Sequence, residues 1–369
     1  GPPGTGKTFQ ASNAIIELLK QNKKIAITGL SHKVIHNLLQ RVEDMAAEKQ
    51  FKFNGFKKGN LEDDDTIFKG ENIKTYEKDP PFMDALKEKN VGNIFAGTKY
   101  HLANSYYDEK IDYLFIDEAG QLSLADLISI GNIAKNIVLI GDQNQLGQPI
   151  RGTHPNNSGQ SILEYLLEGK DTIPEDKGIF LNKTYRLNSK INNFISSNFY
   201  EERLICDDRT DKRIIKFNNK SIIKKDGIHY IEMKHKNNVQ TSIEEFEVVK
   251  SLMKQLIGVE FDDNGKKRKL TANDFLVISP YNTQVNLLIS KLEEEKIKNP
   301  RVGTIDKFQG QEAPIAIISM TSSDSDSLPR NKEFFFNRNR LNVAISRAQV
   351  VSIILFNPNL LDSSPKNLE

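Results

Sequence analysis

The sequence predicts an α/β fold built on parallel sheets, and three observations support this class. Short apolar runs of strand length, such as Lys24–Thr28 and Ile111–Ile116, alternate with helical patterns, such as the one for which Ser31 is the expected N-cap. That alternation is typical of parallel β–α–β units. Apolar runs end in polar residues at Asp117 and after Ile140, and such strand ends carry binding sites in open α/β sheets. The chain also opens on a glycine-rich turn followed by a helical pattern.

That opening turn fits the phosphate-loop pattern, in which two glycines separated by four residues precede Lys and Ser or Thr. Glycines let backbone N–H groups point inward at phosphate oxygens, and the next helix adds its positive N-terminal end. Lys7 would contact the β- and γ-phosphates, and Thr8 would supply a hydroxyl ligand for Mg²⁺. A plain turn before a helix is disfavoured because every position of the pattern is filled. The expected phosphate-binding residues are Gly1, Pro2, Pro3, Gly4, Thr5, Gly6, Lys7 and Thr8.

The apolar run Ile111–Ile116 leads into Asp117-Glu118, the second feature that a nucleoside triphosphatase needs. Asp117 would hold Mg²⁺, directly or through water, and Glu118 would orient or deprotonate the attacking water. An exposed acidic turn is the alternative, disfavoured by the phosphate loop upstream. Gln145 follows another strand pattern and is placed to touch the γ-phosphate or the attacking water, although a turn glutamine alone is weak evidence.

The composition of the chain limits its possible partners and cellular compartment only in part. The chain has 369 residues with 51 basic and 49 acidic side chains, a net charge of +2. A nucleic-acid partner would therefore need a local groove. The single cysteine, Cys206, fits a reducing, cytoplasmic compartment. No apolar run approaches a membrane span of ~18 residues, so no membrane partner is expected. Because a phosphate loop normally follows a strand, we expect an upstream part that the sequence lacks.

Two domains are predicted, at residues 1–177 and 178–369, and charged residues 43–90 are interpreted as an insertion in the first. The second domain repeats the α/β pattern without a phosphate loop. Its expected contribution is cations for the γ-phosphate of a nucleotide bound by the first domain. Arg186 and Arg347, the latter expected within a helix, are the candidates. A cation that completes charge neutralisation can contribute ~10³–10⁵ in rate.

The set of motifs resembles a superfamily-one helicase, of the branch that includes the nonsense-mediated decay helicase. The resemblance implies two RecA-like domains in tandem and covers nearly the whole chain. The matching segments are GPPGTGKT (1–8), the Ser31–Arg41 helix, AGT (96–98), DEAGQ (117–121), GDQNQLGQP (141–149), TYRLN (184–188), SPYNTQ (279–284), VGTIDKFQGQE (302–312) and RLNVAISRA (340–348).

The resemblance also implies residue roles. Tyr185 would stack near the adenine, and Gly310 and Glu312 would line the nucleotide cleft. Thr98 and the Ser31-His32 segment would touch a nucleic-acid backbone. In relatives an adenine-reading glutamine and an accessory β-domain lie upstream of the loop, and some are fused to an upstream nuclease.

The expected function is an ATP- and Mg²⁺-dependent helicase or translocase on single-stranded DNA or RNA. A nucleic-acid-regulated ATPase switch that remodels complexes without unwinding is the alternative, because both would use the same motor. A phosphate-loop kinase or transporter ATPase is disfavoured: a kinase needs no second α/β domain bearing arginines, and the transporter signature is absent from the sequence. The strand contacts are expected on the face away from residues 43–90.

Overall fold

The computed structural model describes residues 1–147, 159–219, 221–324, 328 and 337–361. The first of its two compact units comprises Gly1, Gly6–Gln143 and Gly147–Leu181, and the second comprises Pro2–Thr5, Asn144–Leu146 and Asn182–Glu369. The domain boundary predicted near residue 177 stays a prediction. Gln148 and Pro149, the last two residues of the motif at 141–149, lie outside the described residues. Within the described residues, no helix is long and apolar enough to cross a membrane.

The first unit contains a six-stranded sheet in the order β3-β2-β4-β1-β5-β6. Every neighbouring pair is parallel, which confirms the predicted class for this half. Its strands are β1 (Ile25–Gly29), β2 (Asn54–Lys58), β3 (Ile73–Tyr76), β4 (Asn93–Ala96), β5 (Ile111–Asp117) and β6 (Ala134–Leu139).

Residues 43–90 do not stand apart from this sheet, and their interpretation as an insertion stays a prediction. They supply β2 and β3, and β2 pairs directly with β4. The sequence pattern did not indicate β2 and β3, because these strands are short and rich in lysine. Their burial alternates along the chain, with Gly55 and Lys57 inside and Asn54 outside, so a lysine occupies an interior position.

Helices cover both faces of the sheet. They are α1 (Lys7–Lys20), α2 (His32–Glu48), α3 (Pro80–Lys87), α4 (Lys99–Leu102), α5 (Leu124–Gly131) and α6 (Ile162–Leu167). The Ser31 side chain accepts a hydrogen bond from Val34 N at 3.3 Å, so the predicted N-cap of α2 is confirmed. Strand β1 is buried on both sides: Ile27 packs in the core formed with α1 and α2, and Ala26 packs in the opposite core.

The second unit contains a five-stranded sheet in the order β10-β16-β15-β13-β14, again with parallel neighbours. The strands are β10 (Gly227–Glu232), β13 (Phe275–Ile278), β14 (Val302–Gly303), β15 (Ala313–Ser319) and β16 (Ala348–Phe356). Its helices are α7 (Ser189–Phe199), α8 (Ile243–Leu256), α9 (Asn282–Glu294) and α10 (Arg338–Ile345). Both halves therefore have the predicted architecture.

Two small sheets complete this unit. One pairs β7 (Lys183–Thr184) with β8 (Ile205–Cys206), and the other has the order β12-β11-β9. Strands β9 (Arg213–Ile215), β11 (Glu260–Asp263) and β12 (Lys266–Lys269) are antiparallel. The β11–β12 hairpin was not predicted from the sequence, although Asn264-Gly265 is a typical hairpin turn pair. Both residues have the positive φ that such a turn requires.

Candidate functional site

The phosphate loop leads directly into α1, which begins at Lys7 after Gly6 in the left-handed region. Lys7 Nζ donates a hydrogen bond to the carbonyl of Gly1 at 2.6 Å. The ammonium group therefore lies beside the first residue of the pattern, and this lysine is the one expected to meet a phosphate chain. Thr8 lies in the first turn of α1, and its side-chain hydroxyl makes no hydrogen bond within the described residues.

The middle of the loop, Pro2–Thr5, belongs to the second unit. There Tyr185 N donates to the Gly4 carbonyl at 2.8 Å, and Thr184 Oγ1 donates to the Pro3 carbonyl at 2.9 Å. Gly4 has φ +70°, and a Cβ at this position would lie 2.4 Å from Arg186 Cβ. Glycine is therefore required at residue 4 both by its backbone conformation and by the segment 184–186 packed against it.

Asp117 and Glu118 stand at the carboxyl end of β5. Asp117 lies beside Gly29 of β1 in the sheet register and is 8% exposed. Burial, with a further contribution from the charge of Glu118, raises the pKa of Asp117 to about 7. Glu118 adopts a left-handed backbone conformation, and its N–H donates to Asp117 Oδ1 at 3.0 Å. The sharp turn directs two neighbouring carboxylates into one small region.

These residues fit a magnesium ion. Asp117 is a buried carboxylate that accepts only one hydrogen bond within the described residues, so a cation would relieve the cost of its charge. No group of three or more His, Cys, Asp or Glu side chains in the described part of the chain could hold a metal by itself. That agrees with the way Mg²⁺ is usually held, by one or two protein ligands plus waters and substrate phosphates. Asp117 and Thr8 are the residues that would hold it.

Gln145 belongs to the short segment Asn144–Leu146, which is part of the second unit. Its neighbour Asn144 is fixed on both sides. The Asn144 carbonyl accepts a hydrogen bond from Asn342 Nδ2 at 2.6 Å, and the Asn144 side chain donates to the Phe199 carbonyl. The segment is thus anchored by the Phe199 carbonyl of α7 and the Asn342 side-chain amide of α10. The role of Gln145 stays a prediction.

The structure brings together Arg186 and Glu312, both predicted site residues of the second unit. Arg186 Nε donates to Glu312 Oε2, and Gln349 donates to the other carboxylate oxygen at 2.8 Å. Gly310 precedes this carboxylate by two residues and has φ +73°. Arg186 is therefore held by a protein carboxylate, and a phosphate ligand would have to compete with Glu312 for it.

The Tyr185 ring is 45% exposed and thus accessible for stacking. The guanidinium of Arg209 lies 5.3 Å from its centroid. Arg213, which the sequence analysis did not select, donates to the carbonyls of Tyr185 at 3.2 Å and Arg186 at 2.9 Å. No motif marks Arg213, because it acts through backbone groups at a distance in sequence.

Arg347 is only 2% exposed. It was expected within a helix, but α10 ends at Ile345 and Arg347 lies in the turn before β16. Its guanidinium donates to the carbonyls of Val343 at 3.1 Å and Gln311 at 3.1 Å. These bonds tie the turn to the segment around Gly310, so Arg347 has a structural part within the second unit, and its role toward phosphate stays a prediction.

The residues expected to contact a nucleic-acid backbone lie at neighbouring strand ends of the first sheet. Ser31 and His32 follow β1, and Thr98 follows β4. Strand β2 lies on the other side of β4, and Lys57 of β2 is in register with Ala96. Lys57 Nζ lies 2.9 Å from His32 Nδ1. Residues 43–90 therefore supply a side chain beside the expected contact residue His32, and the face on which a strand binds stays a prediction.

The parallel sheet, the phosphate loop and the acidic strand end define a phosphate-loop nucleoside triphosphatase. The family model described as an AAA domain matches residues 158–359. This is more than half of the chain, so the chain belongs to that family. The predicted membership of superfamily one of the helicases is confirmed.

Three curated relatives carry helicase in their names. The DNA replication ATP-dependent helicase/nuclease dna2 of Schizosaccharomyces pombe is 28% identical over 99% of this chain and 26% of its own length. The DNA polymerase alpha-associated DNA helicase A of the same yeast is 27% identical over 94% of this chain and 58% of its own. The probable RNA helicase armi of Drosophila melanogaster is 29% identical over 68% of this chain and 23% of its own. The chain thus spans well under two thirds of each relative.

Proposed function

We propose that this chain is the motor of an ATP-dependent helicase or translocase that acts on single-stranded nucleic acid. One observation carries the proposal: the first unit has Lys7 and Thr8 in the first turn of α1 and the Asp117–Glu118 pair at the carboxyl end of β5, with Asp117 buried and incompletely paired. The family membership and the names of the relatives support the proposal that this chain is a helicase motor. Since those names include both DNA and RNA helicases, the proposal does not choose between the two polymers.

Each predicted site residue has a proposed part in hydrolysis. Lys7 binds the phosphate chain of ATP together with the loop amides, and Glu118 holds the attacking water and takes its proton. The Glu118 carboxylate has no hydrogen-bond partner within the described residues, so it is available as a base. Asp117 and Thr8 would hold Mg²⁺, which when bound neutralises phosphate charge. Gln145, Arg186 and Arg347 are proposed to assist turnover, with Tyr185, Gly310 and Glu312 lining the nucleotide's surroundings.

For the polymer, the proposed contacts are Ser31, His32 and Thr98. The hydroxyl of Thr98 and the Nε2 atom of His32 make no hydrogen bond within the described residues, so both are available to phosphate oxygens. Contacts of this kind read no base sequence. We therefore expect affinity that falls with salt and varies little with base composition.

Glu118→Gln separates binding from hydrolysis. In the full-length protein we expect this variant to bind ATP normally, with turnover reduced by about 10²–10⁴, the usual contribution of a positioned acid–base group. Single-strand affinity should change by roughly 5- to 150-fold when ATP is added, since coupling between two sites is typically ~1–3 kcal/mol and reciprocal. The measurements are fluorescence anisotropy with labelled oligodeoxythymidine and oligouridine, and steady-state phosphate release with and without a strand.

If Glu118→Gln hydrolysed ATP at the wild-type rate, Glu118 would not be the residue that activates the attacking water. If the ATP turnover rate did not change when a strand is added, and strand affinity did not change when ATP is added, the translocase proposal would be contradicted. Strand-stimulated turnover without displacement of a duplex would instead favour the remodelling switch. A nuclease or accessory region elsewhere in the full-length protein stays a prediction.

A further inference from the structure

The structure gives one lysine of the first unit an unusual position. Lys57 lies on β2, is fully buried, and has its Nζ atom 2.9 Å from His32 Nδ1. The same ammonium donates to the carbonyl of Lys58. A buried lysine is uncommon because burial disfavours its charge. The partners of Lys57 are a carbonyl and an imidazole nitrogen, so the position calls for a function beyond packing.

The hydrogen bond determines the tautomer of His32. Burial lowers the pKa of Lys57 to about 8, so the ammonium form predominates at pH 7, and an ammonium group can only donate. His32 Nδ1 must then accept, which leaves the ring proton on Nε2. Burial and then the charge of Lys57 lower the pKa of His32, against the opposite influence of Asp63. The ring is therefore neutral, with Nε2–H as its donor.

This donor lies in the region that the proposed function assigns to the polymer. His32 is the first residue of α2, directly after the cap Ser31, and its ring is only partly buried. Within the part of the chain that is described, Nε2 has no hydrogen-bond partner. Thr98, whose hydroxyl is also without a partner there, follows β4, the strand next to both β1 and β2. An imidazole N–H and a hydroxyl at neighbouring strand ends are donors that a phosphodiester backbone can accept from.

We propose that Lys57 is a positioning residue for nucleic-acid binding, which holds His32 in the tautomer whose Nε2–H donates to a backbone phosphate. Lys57 does not touch the strand. The inference rests on the proposed function, since it refines the strand contacts named there. It also gives residues 43–90 a part in binding, because this segment supplies the residue that sets the orientation and protonation of His32.

The first test reads the tautomer in the free full-length protein. Nitrogen-15 NMR of the imidazole rings should show His32 as the Nε2–H tautomer at pH 7, identified by its loss in His32→Ala. In Lys57→Met, which keeps length and loses the donor, the signal should move toward a mixture of tautomers. An unchanged His32 signal in Lys57→Met would overturn the positioning role, and this readout does not depend on binding.

The second test measures affinity for oligodeoxythymidine and oligouridine. We expect Lys57→Met and His32→Ala each to weaken binding by about 3- to 10-fold, and the double variant to be no weaker than His32→Ala alone, because coupled residues are not additive. Lys74→Met on β3 is the matched control, since it removes the same charge from an exposed position in the neighbouring strand. It should leave affinity within about 2-fold.

Additive losses would mean that Lys57 acts independently of His32, and an equal loss in Lys74→Met would mean that only net charge matters. Either result overturns the inference while wild-type binding keeps the proposed function intact. Absence of strand binding in the wild-type protein would instead refute the proposed function and the phosphate contact together. The NMR signal would then still report whether Lys57 sets the tautomer.

Discussion

Two buried carboxylates, one in each unit, differ in how completely the protein pairs them. Asp117 of the first unit accepts one hydrogen bond within the described residues, from the N–H of Glu118. Glu245 of the second unit accepts hydrogen bonds from Ser319 Oγ at 2.5 Å and from Thr321 N at 2.9 Å. His235 Nε2 also lies 3.3 Å from it.

The difference separates a carboxylate prepared for a ligand from one that organises a core. Burial raises the pKa of both groups, so burial alone does not distinguish them. Hydrogen bonds oppose that effect at Glu245 and engage both of its carboxylate oxygens. Asp117 keeps an oxygen for an external cation. An incompletely paired buried acid is therefore the better indicator of function.

The largest effect expected from this contrast is on turnover. Asp117→Asn should reduce ATP hydrolysis by about 10²–10³, since it removes a charge that stabilises the transition state through the bound ion. The urea midpoint of unfolding should stay the same or rise, because the folded state no longer contains an incompletely paired buried charge. Strand-stimulated phosphate release and urea unfolding of the same variant are the measurements.

For Glu245 the expected effect is on stability, whereas for Asp117 it is on turnover. Glu245→Leu should lower the free energy of unfolding by about 2–4 kcal/mol, because it leaves His235, Ser319 and Thr321 without their acceptor. Glu247→Leu, an exposed site on the same helix, is the control and should stay within about 0.5 kcal/mol of wild type. Urea unfolding followed by circular dichroism measures both. If Glu245→Leu were as stable as Glu247→Leu, the network would not organise the core.

A smaller effect concerns a buried group that is kept neutral. Burial, aided by the charge of Lys58, lowers the pKa of His101 to about 4, and its Nε2 lies 2.9 Å from Tyr107 OH. The unfolded chain takes up this proton near pH 6.5. The stability given by neutral His101 is thus present above pH 6.5 and is lost as the pH falls toward 4.

Between pH 6.5 and 5 this loss should be about 2 kcal/mol. His101→Gln should remove that part of the slope when urea midpoints are measured at several pH values. An unchanged slope would show that His101 does not titrate differently in the folded and unfolded protein, and that its burial has no consequence for stability in acid.

Much of the candidate site follows from the sequence alone. The loop at residues 1–8, the strand that ends in Asp117 and the cap at Ser31 are local patterns, and the structure places each on the expected kind of element. Glycine spacing, apolar runs and capping residues act within a few positions of one another. Their geometry is therefore set by the chain itself.

Contacts between residues that are distant in sequence were determined only by the tertiary structure. Lys57 reads as one charge among many in residues 43–90, yet parallel pairing with β4 buries it beside His32. Arg347 reads as a free cation, yet its turn folds it against backbone carbonyls. Asp117 and Glu245 are both acidic residues next to apolar runs, and only the packing of other strands and helices around them determines their pairing. Local patterns place the elements, but burial and hydrogen bonding depend on neighbours that no short stretch of sequence contains.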